Sequence, residues 1–165
     1  MKATHPVLFH EVQRFRDVWW VMVLVFGVAA TQWYALLSRL MAASWGSDIL
    51  GLALLFLFWL LFGVGLPLLF LVLRLEIAVD PQAVTIRFAP LLQRVIPKLE
   101  IAWVEPRQYW PLGEFGGWGV RGFGGRIAYN VRGNHCVELT LVDGRRVLIG
   151  SRRAVELATA ISSIV

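Results

Sequence analysis

Few side chains in this chain are equipped for chemistry, and their spacing decides what each can do. Gly117-Trp118-Gly119-Val120-Arg121-Gly122 matches G-x-G-x-x-G. That pattern holds a dinucleotide only between a strand and a helix, because the helix N-terminus meets the pyrophosphate. Here Phe123-Gly124-Gly125-Arg126-Ile127-Ala128-Tyr129 follows, which reads as turn and strand. The reading is therefore a glycine-rich loop or bulged hairpin. His135-Cys136 sets a base beside a nucleophile, yet neighbours on a strand point to opposite faces, so the imidazole is badly placed to activate the thiol. Glu114 and Glu138 are two carboxylates with no spacing that aligns them as acid and base. His5 and His10 are five apart, a poor metal spacing on a helix. No Walker lysine, G-x-S-x-G or H-E-x-x-H occurs. Cys136 is the single cysteine. It makes no internal disulfide and no cysteine-based zinc or iron–sulfur site, and reads as a small buried hydrophobe. The expectation is a protein that is not an enzyme and carries no cofactor or metal.

Other residue types suit contact better than catalysis. Gly113 to Gly125 holds seven glycines in thirteen residues. Trp110, Phe115, Trp118 and Phe123 interleave with them as candidate partner-binding anchors; if exposed they contact a protein or the bilayer interface, and if buried they wall a small sheet. Arg145-Arg146 beside the Asp143-Gly144 turn and Arg152-Arg153 at the start of the last helix are candidate lipid-headgroup contacts. Two cations at a helix N-terminus oppose its dipole unless an anion lies near. No recognition helix or aromatic RNA-binding motif appears, so nucleic acid is not an expected partner.

The elements that hold these residues follow from composition. The 165 residues are 58% hydrophobic and 16% charged, against about 45–50% apolar and about 25% charged in soluble domains. Val18 to Ser38 and Ile49 to Leu73 are free of charge. About 20 apolar residues in a helix cross a bilayer core, so residues 18–73 read as a two-helix transmembrane hairpin with its loop near 39–48. The first run is too long for a signal-peptide core. Pro67 predicts a kink in the second span, and Gly63 and Gly65 close helix contact. Without an ionisable side chain, the spans argue against a pump. The net charge is +5, almost all of it arginine, a bias that fits a GC-rich bacterial genome. Lys2, Arg14 and Arg16 before the first span, and Arg74, Arg87, Arg94 and Lys98 after the second, place both termini in the cytoplasm. Trp19, Trp20, Trp33, Tyr34 and Trp45 lie near the expected interfaces. Residues 1–17 form a cytoplasmic N-terminal segment, whose Phe9 to Arg16 stretch suggests an interfacial helix running into the span.

From Arg74 the pattern alternates. Leu75, Ile77 and Val79, then Val84, Ile86 and Phe88, mark half-buried strands. Further strands are expected around Val95-Ile96, from Ile101 to Tyr109, and at Val137 to Leu141. Asp143-Gly144 predicts a type I′ hairpin turn into Arg145 to Ile149. Ser151 suits a helix cap, and Leu157, Ile161 and Ile164 line one helical face. Residues 74–165 thus read as about seven antiparallel strands in a curved sheet or barrel, capped by a C-terminal helix.

Two spans, then strands, an Arg-x-Ile-Pro-like step at Arg94-Val95-Ile96-Pro97 and a final helix resemble bacterial PH-like membrane proteins. Tyr109 to Arg121, Ala128 to Asn134 and Leu148-Ile149-Gly150-Ser151 are similar to small bacterial proteins of uncharacterised function within that class. The resemblance implies a PH-like cytoplasmic domain, a fold that serves lipid binders, peptide binders and scaffolds. The functional expectation is an accessory, scaffold or assembly subunit of a bacterial inner-membrane complex. Its partners would be membrane lipids and either other membrane-protein subunits or copies of itself. The alternative is an anionic-lipid-binding module, and a weaker one an oligomeric channel or transporter component.

Overall fold

A computed structural model describes residues 6–42 and 49–165, without the side chain of Phe123. The readings made for Lys2, His5, Trp45 and the 43–48 part of the loop fall outside the described residues. The chain divides into two compact units: Arg14–Leu73, and the N-terminal residues up to Gln13 together with Arg74–Val165.

The first unit is a helical hairpin. After a 3₁₀ turn at Phe15–Asp17, α1 runs over Trp19–Met41. The second rod is α2 (Ile49–Phe58), a π-helical stretch (Trp59–Gly65) and α3 (Leu66–Val72). Both rods are long and apolar enough to cross a membrane, with mean hydropathy 1.7 and 2.6. The irregularity expected at Pro67 takes the form of the wide π turn, where the Leu66 N–H reaches back to the Leu61 carbonyl. Proline has no N–H to offer the carbonyl four residues earlier. That carbonyl, on Gly63, instead accepts a hydrogen bond from Trp33 Nε1 at 3.3 Å. Trp33 also meets Trp59 edge to face at 5.0 Å. Gly63 leaves room for this contact, since a Cβ there would lie 3.0 Å from Trp59 Cδ1 and 3.4 Å from Gln32 Cβ.

The second unit contains β1 (Phe9–Arg14), β2 (Arg74–Val79), β3 (Ala83–Ala89), β4 (Leu92–Pro97), β5 (Ile101–Gln108), α4 (Pro111–Phe115), β6 (Gly119–Phe123), β7 (Arg126–Asn130), β8 (His135–Leu141), β9 (Arg146–Gly150) and α5 (Ala154–Ser162). They form two sheets, ordered β1-β2-β3-β4 and β5-β8-β9-β7-β6. The expected barrel is corrected to two open sheets. The expected all-antiparallel order is also corrected: β7 and β9 pair in parallel, Ala128 opposite Leu148. The short β7–β8 link passes the end of β9 at Gly150, where a Cβ would stand 2.8 Å from Asn130 Cβ. Only glycine permits that approach.

The alternating residues fill the core as the period-two pattern requires. Leu75, Ile77, Val79, Val84 and Ile86 from one sheet are fully buried, as are Val137, Leu139, Val147 and Ile149 from the other. α5 contacts β2, β5 and β8 and buries Leu157, Ala158 and Ile161 among them. Each buried Val, Leu or Ile side chain contributes about 1.5–3 kcal/mol by leaving water. The Asp143-Gly144 hairpin departs from type I′. The Gly144 N–H bonds the Leu141 carbonyl at 2.9 Å, so the turn closes over Val142-Asp143 and Gly144 follows it in the left-handed region at φ 82°.

The interfacial helix expected within residues 1–17 is corrected to strand β1. Phe9, Glu11 and Gln13 are buried while His10 and Arg14 are exposed, a period of two. Two buried polar side chains suit a strand because the end of β9 and the link between β9 and α5 supply partners for them. Gln13 Nε2 donates to the Gly150 carbonyl at 2.9 Å. Glu11 Oε2 accepts from Ser151 Oγ at 2.5 Å, and Glu11 Oε1 from the Arg152 N–H at 3.1 Å. Glu11 is thus the anion that the Arg152-Arg153 helix start calls for. Ser151 does not cap α5 in the expected position; its hydroxyl accepts the Arg153 N–H at 3.0 Å.

Candidate protein-docking site

β5 leads through Tyr109 and Trp110 into α4, so the first turns of the glycine-rich segment stand at the end of an edge strand. Pro111 starts this short helix and Gly116, at φ 70°, ends it; both are residues whose backbone preferences suit those places. Trp110 is 69% exposed and Leu112 57%. Gly113 lies directly under the Trp110 ring, where a Cβ would fall 2.3 Å from it. Phe115 points inward, edge to face with Tyr109 at 6.3 Å, with Arg126 stacked 5.6 Å above it. A small cluster of Tyr109, Ala128, Cys136 and Leu148 lies beneath.

Five charged side chains brace this projection. Arg107 on β5 donates to Glu138 on β8 at 2.6 Å and to Glu114 on α4 at 2.8 Å. Arg126 lies 3.7 Å from Glu114 and 3.8 Å from Glu138. Arg146 reaches Glu138 at 3.2 Å. The other oxygen of Glu114 accepts the Trp110 N–H at 2.9 Å, closing the turn that carries the indole. Burial lifts the Glu114 carboxyl, but hydrogen bonds from Arg107 and Trp110 and the charges of Arg107 and Arg126 outweigh it and hold the group below its ordinary range. Burial opposes charge on Arg107 as well, and both glutamates reverse that, keeping the guanidinium firmly cationic.

The floor of the site is neutral and closed. Burial pushes the Tyr109 phenol up to about 12. Its oxygen accepts from Asn130 Nδ2 at 2.7 Å, while Asn130 Oδ1 holds the Gly119 N–H at 2.7 Å. Burial likewise pushes the Cys136 thiol up to about 12. A cleft of about 420 Å³ beside α4 is lined by Glu114, Phe115, Gly116, Arg121 and Gly122. This arrangement offers a rigid apolar projection, a neighbouring slot and fixed charges, which suit a macromolecular contact.

The sequence-derived candidates separate. Trp110 faces solvent, Phe115 and Trp118 are half-buried, and Phe123 ends β6 with its side chain outside the described residues. Leu112 joins Trp110 on the projection and was not anticipated; its place after Pro111 in an exposed helical turn is the only sequence signal. The four candidate headgroup arginines each have a carboxylate within 4 Å: Arg145 has Asp143 at 2.5 Å, Arg146 has Glu138, Arg152 has Glu11 at 3.7 Å and Arg153 has Glu156 at 3.2 Å. Arg153 also donates to the His10 carbonyl and stacks 4.6 Å over Phe9. Glu114 and Glu138, considered as an acid/base pair, share Arg107 instead. His135 is exposed and bonded to Gln108, while Cys136 is fully buried on the opposite face.

A family model described as a family of unknown function (DUF6141) matches residues 2–165. The chain belongs to that family. No curated protein and no solved structure matches it.

Proposed function

We propose that this member of the family is a non-catalytic, membrane-anchored accessory subunit. The two apolar helices hold it in a bacterial inner membrane with both termini cytoplasmic. Its β-rich unit is a PH-like scaffold that presents Trp110 and Leu112 to another membrane-protein subunit. One observation carries this reading: two large apolar side chains project into solvent from a turn fixed by Glu114, Arg107 and Glu138. An exposed tryptophan on a backbone turn held by hydrogen bonds binds at less ordering cost than one on a free loop, and tryptophan is prominent among residues that dominate interfaces.

Topology supports the orientation. β1 and β2 are neighbours in one sheet, so the segments before the first apolar helix and after the second belong to one unit. Two crossings return a chain to its starting side, and the flanking arginines favour the cytoplasm for that side. Arg145, Arg146, Arg152 and Arg153 each have an internal carboxylate within 4 Å, which leaves them less charge for lipid than four free cations would offer.

The test is extraction of the native protein in mild detergent, with co-purifying proteins identified and quantified by mass spectrometry. Wild type retains a stoichiometric partner, Trp110→Ala loses it, and Leu99→Ala, altered at another exposed apolar residue, retains it. Recovery of wild type alone, or an unchanged partner set for Trp110→Ala, overturns the proposal.

A further inference from the structure

We infer that one end of the β1-β2-β3-β4 sheet is a membrane-contact edge, in which the Pro90-Leu91 turn enters the headgroup layer and Arg14, Arg74 and Arg87, all on its strands, meet anionic lipid. The inference rests on the reading of the apolar helices as membrane spans, and concerns a surface separate from Trp110 and Leu112.

Register within the sheet carries the argument. β1 and β2 run antiparallel, with the Leu8 N–H on the Val79 carbonyl at 2.8 Å and the Phe15 N–H on the Leu73 carbonyl at 3.1 Å. Their Arg14 and Arg74 ends therefore lie together, and from that end the chain continues into both apolar helices: Trp19 begins one and Val72 ends the other. Arg74 pairs with Ala89, and Phe88 with Leu92. The β3–β4 turn, closed by the Leu91 N–H on the Phe88 carbonyl, thus stands at the same end as both chain exits. Arg74 follows the last helical residue by two positions. A headgroup layer is about 5–7 Å deep, so it spans only a few residues of chain.

The residues gathered there suit that layer. Pro90 is exposed and Leu91 is 59% exposed, apolar side chains at the tip of a turn where solvent would favour polar ones. On these strand ends the cations Arg14, Arg74 and Arg87 outnumber the carboxylate Glu76 by two. Arg74 and Arg87 share Glu76 at 2.7 and 3.7 Å. An anionic leaflet complements the excess positive charge. Leu99, 85% exposed, follows the opposite end of β4 and lacks this placement.

The experiment places one environment-sensitive fluorophore in the full chain, reconstituted in vesicles of phosphatidylcholine and phosphatidylglycerol carrying nitroxide lipids. Cys136 is fully buried and leaves an introduced cysteine as the labelled thiol. Leu91→Cys is expected to shift to the blue and lose most of its emission to headgroup nitroxides. Leu99→Cys keeps its emission. Phe62→Cys, in the second apolar rod, is quenched by acyl-chain nitroxides. Quenching at Phe62 without quenching at Leu91 overturns this inference alone. Absence of quenching at Phe62 overturns the spanning reading and the inference with it.

Discussion

Glu11→Ala tests how the N-terminal strand is held to the rest of its unit. The carboxylate is 5% exposed and accepts two buried donors, Ser151 Oγ at 2.5 Å and the Arg152 N–H at 3.1 Å. A hydrogen bond to a charged group is worth about 1.5–3 kcal/mol, so the two together hold about 3–6 kcal/mol. The Arg152 guanidinium, half-exposed at 3.7 Å, adds less than about 1 kcal/mol. In a domain of this size each kcal/mol moves the melting temperature by about 4 °C, so the alanine variant should melt roughly 12–24 °C lower. Glu11→Gln preserves one acceptor and the side-chain volume, and should lose about a third of that. Thermal unfolding of the full chain in detergent, followed by near-UV circular dichroism, reads the shift. A double-mutant cycle with Ser151→Ala isolates the pair and should give a coupling of about 1–3 kcal/mol. An alanine variant within about 2 °C of wild type, or a coupling below about 0.5 kcal/mol, refutes the reasoning.

Four further expectations rest on other contacts of the same unit. Glu138→Ala leaves Arg107 and Arg146 without their shared carboxylate, at a cost of about 3 kcal/mol. Hydrogen exchange at the Trp110 and Glu114 amides should then accelerate about a hundredfold, and unchanged exchange would show that the brace does not hold α4. Acid should loosen the same turn: because Glu114 is held below its ordinary range, its contribution is intact above that range and disappears as pH falls through the folded value. Alkali acts on the floor. Tyr109 and Cys136 rise from 10.0 and 9.0 to about 12, so their neutral forms stabilise the fold below those ordinary values and that stability is lost as pH climbs toward 12. Cys136 should stay unreactive to a thiol reagent until this transition, and prompt modification at neutral pH would contradict its burial. Gly150→Ala should destabilise the β7–β9 pairing, since the new methyl meets Asn130 Cβ at 2.8 Å and its Cα at 3.2 Å; an unchanged melting temperature would show that the link yields freely.

The sequence makes local features legible. Uninterrupted apolar runs mark the two rods, because a helix that is apolar all round leaves no other signature. Alternation at Leu75-Ile77-Val79 and Val137-Leu139-Leu141 marks strands, because one face of each is buried. Non-local order is much less visible. Nothing in Arg126–Asn130 specifies a parallel partner twenty residues further on, so the β7–β9 pair and the open sheets were hidden. β1 was missed because Phe9, Val12 and Phe15 fit a helical spacing, while its buried faces include Glu11 and Gln13, whose partners on β9 and before α5 lie far away in sequence. The glycine-rich stretch showed its aromatics but not which of them face out. That depends on Arg107, Glu114, Arg126, Glu138 and Arg146, scattered over four strands and a helix and joined only by the fold.

The central claim is that Trp110 and Leu112 meet a protein partner. A photo-crosslinking amino acid at position 110, introduced into the full chain in native membranes, tests it most directly. A single discrete crosslinked protein, absent when the same group replaces Val142 at the β8–β9 turn, is the expected result. No crosslink at position 110 beyond that at position 142 would contradict the account.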